Sequence, residues 1–222
     1  MIKKVLLALI ALCLLLPCAA LMESERNFDS LLAENAESVY AENVKAFLEI
    51  PGAGFLLPVM QHPTDDGFYL KHNALGEESA SGALYTQHTY NKPDFSDPAV
   101  VIYGRRMDDQ TMFGFLQEKF SASFEDLRLI NLYLPEEIRQ YTVIAAVPFS
   151  NAHILHSYNF TKPRMFEAFF DEVYAVRRFG VQRDESLRPE SDEAILILST
   201  GLRGDATQRY LVIAKINRTE IN

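Results

Sequence analysis

A thiol, a serine hydroxyl, an imidazole or paired guanidinium groups could each carry chemistry in this chain, and their positions separate the options. Both cysteines, Cys13 and Cys18, fall within the first 22 residues. Whatever follows that segment has no thiol nucleophile, no disulfide and no cysteine metal site. The five histidines are His62, His72, His88, His153 and His156. Only His153 and His156 stand close together, in an expected loop, so neither a metal nor a cofactor is expected. Ser199 remains as a nucleophile candidate. Strand alternation puts it on the side of Gly201, about 6.5–7 Å away, with Thr200 on the opposite side. It would need one of the histidines as a base. The alternative, a strand serine bonded locally, is the preferred reading. Arginines supply a planar fork suited to carboxylate or phosphate, and Arg105, Arg209 and the cluster Arg177, Arg178, Arg183 and Arg188 are the candidates. The cluster reads as a solvated face with some capacity for anionic polymer.

The elements that must position these groups read mainly as strands. Short apolar runs at 55–60, 67–70, 82–86, 99–103, 126–133, 140–148, 194–200 and 209–216 are rich in Val, Ile, Leu, Tyr and Phe and bounded by turn residues. That pattern predicts a closed or nearly closed barrel, which leaves no exposed edges. Residues 24–48 predict an amphipathic helix through Phe28, Leu31, Leu32, Val39, Phe47 and Leu48, stopped at Pro51-Gly52. A short helix capped by Asp108 or Asp109 is expected through Phe120. A longer one is expected from Pro163 to Arg178, with Met165, Phe166, Phe169, Phe170 and Val173 as its core stripe. The charged stretch 180–193 reads as an exposed loop.

The N-terminus differs in kind. Lys3 and Lys4 precede an apolar run from Val5 to Met22, expected as a signal peptide or an N-terminal membrane anchor over 1–22. A helical segment over 23–52 and a barrel domain over 53–218 complete the expected organisation. Either leader reading exports the domain. Formal net charge is −9 for the whole chain, hence −9 − 2 = −11 without the two lysines. Such an acidic domain is not expected to bind nucleic acid, where phosphate neutralisation dominates.

The longer motifs carry a resemblance. Phe47-Leu48-Glu49-Ile50-Pro51-Gly52 leads into Leu57-Pro58-Val59-Met60-Gln61, followed by Tyr69-Leu70-Lys71-His72, Gly82-Ala83-Leu84-Tyr85, Tyr103-Gly104-Arg105-Arg106-Met107 and Met112-Phe113. Ile197-Leu198-Ser199-Thr200-Gly201 and Gln208-Arg209-Tyr210-Leu211-Val212 close the series. In order and spacing, over about residues 27–216, this resembles the class B sortases, exported transpeptidases that join sorting signals to cell wall or pilus subunits. The resemblance implies an eight-stranded sortase-like β-barrel with an N-terminal helix and a long helix inserted between late strands.

It also implies a site. The family's histidine position falls on Arg105, its cysteine position on Gly201 and its arginine position on Arg209. Thr200, before the nucleophile position, also matches. Glycine offers no nucleophilic atom. A guanidinium, with a pKa above ~12, is no general base near neutral pH. Loss of the nucleophile alone from such a set can cost on the order of a million-fold. The implied protein is catalytically inactive and sits on the extracellular side of the membrane, or is secreted. It binds a sorting-signal or surface-protein segment through Arg105, Arg209, Ser199 and Thr200, or assists an active sortase or pilus assembly. Two alternatives stand beside it: a cysteine-independent transpeptidase or peptidase, and an envelope scaffold. Arg105 could instead be held in an ion pair by Asp108, Asp109 or Asp205.

Overall fold

The computed structural model describes residues 26–221, so the expected leader over 1–22 lies outside the described residues. Nine strands are found among them: β1 Val44–Ile50, β2 Phe55–Met60, β3 Leu84–Tyr85, β4 Ala99–Tyr103, β5 Leu129–Tyr133, β6 Glu137–Ser150, β7 Gln182–Arg183, β8 Ile195–Leu202 and β9 Asp205–Ile221. Their order is β5-β1-β2-β3-β4-β8-β9-β6, and pairing of β5 with β6 closes the ring. The result is an eight-stranded barrel, with β7 added outside on β6. Two pairings are parallel, β2 with β3 and β4 with β8. Closure gives each barrel strand a neighbour on both sides, which removes the long open edge that so apolar a sheet would otherwise expose.

The apolar pattern divides between two sides of the wall. Leu48, Ile102, Leu198, Tyr210 and Val212 fill the barrel. Val101, Ile197, Leu211 and Ile213 face outward instead, against Phe166, Phe169, Phe170 and Val173. These aromatics lie on a helix at Pro163–Ala175, the long helix expected between late strands. With both faces covered, β8 is buried nearly end to end, and it reads as a continuous apolar run rather than an alternating one.

Helices α1 (Phe28–Glu34), α2 (Leu116–Ala122), α3 (Ile154–Ser157) and α4 (Pro163–Ala175) complete the fold. Asn27 caps α1, accepting from the Ser30 amide at 2.9 Å. The helix ends at Glu34, so the expected helix over 24–48 is corrected in its second half. Val44–Ile50 is strand β1, in which Val44, Ala46, Phe47, Leu48 and Ile50 are all buried. A strand covered on both faces has no period-2 signal, and its apolar run passes for helical spacing. Residues 68–70 form a 3-10 turn rather than a strand. Helix α2 begins later than expected because Asp109 does not cap it. The Asp109 carboxylate instead accepts from the amide and hydroxyl of Thr111, closing a local turn. The loop at 180–193 contains β7 and a short 3-10 turn at Glu185–Leu187.

Candidate functional site

Three neighbouring strands bring the candidate residues together. In register, β4 runs parallel to β8, pairing Tyr103 with Ser199, and the Gly104 amide continues the ladder to the Ser199 carbonyl at 3.1 Å. Strand β9 returns antiparallel, pairing Gly201 with Arg209 and Ser199 with Leu211. Gly104 permits the close approach of the loop behind it. A Cβ there would stand 2.4 Å from a ring carbon of Phe113.

Arg105, Gly201 and Arg209 therefore line one cleft of about 290 Å³, together with Leu70, Tyr85 and Tyr103. Arg105 donates from Nη2 to the Leu70 carbonyl at 2.8 Å. The Arg209 Nε donates to the Ser199 hydroxyl oxygen at 2.6 Å, and its guanidinium lies 5.4 Å from the centre of the Tyr103 ring. Tyr103 stacks in turn on Tyr85, centroids 5.4 Å apart. Neither Arg105 nor Arg209 makes an ion pair among the described residues. The acids considered for Arg105 have other partners: Asp108 takes Arg106 at 2.5 Å, Asp109 takes Thr111, and Asp205 takes Thr207.

The electrostatics follow from burial without a counter-charge. Burial pulls the Arg209 guanidinium below its usual value, opposed by the Tyr103 and Tyr85 phenols. Burial pushes both phenols up, Tyr103 strongly, against the pull of Arg209. At Gly201 a Cβ would meet no atom within 4 Å. The floor of the cleft is open space where a side chain would fit.

Ser199 is fully buried and accepts from Arg209, so its hydroxyl is locally bonded. Four of the five histidines are engaged with other groups, and His153 also lies near the cleft, its ring centroid 6.4 Å from that of Tyr103. His153 Nε2 bonds Gln87 at 2.7 Å and His88 faces Asp66 at 2.7 Å. His62 accepts the Asp65 amide, and His72 bonds the Phe68 carbonyl. Thr200, by contrast, stands on the barrel-interior face with Leu198 and Tyr210, fully buried and without a hydrogen bond among the described residues. It does not line the cleft, since strand alternation turns it away.

In the second arginine cluster Arg177 and Arg178 are exposed, in keeping with a solvated face, Arg183 and Arg188 are half-buried, and all four also have local partners. Arg188 pairs with Glu167 and Asp171, Arg183 with Glu185, Arg177 bonds the Tyr174 carbonyl at the end of α4, and Arg178 bonds Gln208. No group of three potential metal ligands occurs among the described residues. A larger cleft of about 750 Å³ is lined by Phe28, Val44, Pro93, Leu134, Glu137 and Ile221. It shares no lining residue with the arginine cleft, and we assign it no chemistry. Tyr103 and Tyr85 also line the site, although nothing in the sequence marked them out beyond the nearness of Tyr103, at the end of β4, to Arg105. The Leu70 carbonyl had no sequence signal at all.

A closed eight-stranded barrel with a helix inserted before its last two strands is the class B sortase fold. Sortase B of Clostridium perfringens superposes with a TM-score of 0.69 at 22% identity, covering 86% of this chain and 99% of that one. Sortase B of Staphylococcus aureus gives 0.68 at 19%, over 86% and 93%. In sequence, a segment of 67 residues is 31% identical to Sortase B of Listeria monocytogenes, spanning 30% of this chain and 26% of that protein. No family model matches the chain.

Proposed function

We infer that this protein uses the sortase cleft to hold a polypeptide segment and does not cut it. The observation that carries the reading is the cleft itself. Two guanidinium groups, without counter-charges among the described residues, face an open floor at Gly201, and none of the lining residues is a nucleophile with a base beside it. An acyl intermediate needs a nucleophilic atom and a group to take its proton, and Arg105 supplies neither. Peptide binding is supported by two relatives of the same fold, the S. aureus sortase B–substrate complex and a sortase B complexed with triglycine. A tether through the N-terminal segment, and a role beside an active sortase or a pilus subunit on the outer side of the membrane, belong to the same proposal.

Calorimetric titration of the full chain with extended peptides from surface-protein tails tests it, with Arg209→Ala as control. Binding by the parent and its loss in Arg209→Ala is the expected result. No binding by either protein would remove this reading and leave the scaffold role. A cysteine-independent peptidase is disfavoured because Ser199 is buried and bonded to Arg209.

A further inference from the structure

Two buried hydrogen-bond donors in the cleft wall have no partner among the described residues. The Tyr103 hydroxyl is one, on a residue only 8% exposed, and the Arg105 Nε is the other. Buried donors are satisfied in the great majority of cases, and an orphan costs free energy until something accepts from it. Both orphans belong to residues lining the space that also contains Gly201 and Arg209. Arg209 spends Nε and Nη2 on Ser199, at 2.6 and 3.4 Å, and its Nη1 makes no hydrogen bond among the described residues. The unspent capacity is therefore rich in donors, with the Tyr103 hydroxyl able to donate, and it carries two positive charges in a protein of net charge −9.

We propose that the cleft is a carboxylate-binding site, in which Arg105, Arg209 and the Tyr103 hydroxyl grip one carboxylate of a bound peptide while its main chain crosses the open floor at Gly201. This deepens, and rests on, the peptide-holding reading. A carboxylate accepts from several donors at once, and charge-assisted bonds are the strong ones. The walls formed by Leu70, Tyr85 and Leu202 suit a ligand with a carbon stem over a small hydrated ion. Burial without a counter-charge, which lowers the Arg209 pKa, is relieved when the anion arrives.

The carboxylate can come from a chain terminus or from an aspartate or glutamate side chain, and one experiment separates them. The full chain is titrated with three N-acetylated pentapeptide pools: a neutral sequence ending in a free carboxylate, the same sequence amidated, and an amidated sequence with one internal Asp. We expect one acidic pool to bind about ten- to hundredfold more tightly than the neutral amide. That advantage should vanish in Arg105→Gln and Arg209→Gln and fall severalfold in Tyr103→Phe. The parent protein provides a check that needs no variant: binding of the acidic pool weakens as salt rises, while binding of the neutral amide does not. Equal binding of all three pools overturns the carboxylate site and leaves the peptide-holding reading standing. No binding by any pool overturns both.

Discussion

A cysteine placed at Gly201 reads the field of the cleft directly. A Cβ at that position meets nothing within 4 Å, so Gly201→Cys should fold as the parent does. Gly201 and Arg209 are directly opposed across β8 and β9, where facing Cβ atoms lie about 5 Å apart. Taking ~7 Å from sulfur to guanidinium and an effective dielectric of ~20 gives about 2.4 kcal/mol for one thiolate–guanidinium pair. At about 1.36 kcal/mol per unit, this is a lowering of ~1.7 units before solvent enters. Water in an open cleft takes back part of it, and a shift of about one unit below the ordinary thiol value of ~8.5 remains. The assay is the pH dependence of iodoacetamide alkylation at residue 201, followed by peptide mapping to separate it from Cys13 and Cys18. Adding Arg209→Gln should return most of the shift. A thiol titrating at ~8.5 with or without Arg209, or one that does not react, refutes the electropositive open cleft.

Other positions give equally definite outcomes. A Cβ at Gly52 would stand 1.8 Å from the Asp126 carbonyl oxygen, so Gly52→Ala should lose about 1–3 kcal/mol in urea unfolding, while Gly201→Ala stays within ~0.5. Glu49 accepts from Asn131 and from the Tyr133 hydroxyl, each at 2.8 Å and both donors on buried residues. Glu49→Ala should therefore cost about 2–3 kcal/mol, read as a lower urea midpoint at unchanged slope. Burial pushes the Tyr133 and Tyr174 phenols up to about 12. The folded state prefers the neutral phenol, so their contribution is complete below about pH 10 and is lost as pH rises through about 12. With ten tyrosines and no tryptophan, phenolate absorbance follows this cleanly. A single titration near pH 10, with no loss of structure, would contradict it.

Legibility in the sequence followed burial on one face or two. Strands β2 and β4 lie where their apolar runs end, at 55–60 and 99–103, because turn residues bracket them. Strand β1 was hidden because Phe28 and Leu31 of α1 cover its outer face while the barrel covers the inner one. That Arg105, Gly201 and Arg209 would line one cleft was implied by the resemblance to class B sortases rather than by any local pattern. The absence of a thiol beyond residue 22 followed from cysteine positions alone. What could not be read was the set of partners supplied by closure. The Leu70 carbonyl meets Arg105 across 35 residues, and the acids beside Arg105 in sequence are spent on local contacts.

Whether this cleft holds a chain without cutting it is decided by turnover. The full chain is incubated with surface-protein tail peptides, with and without hydroxylamine, and products are read by mass spectrometry over a day. No cleavage and no hydroxamate above the peptide-alone control is the expected result. A hydroxamate product that disappears in Ser199→Ala would contradict it.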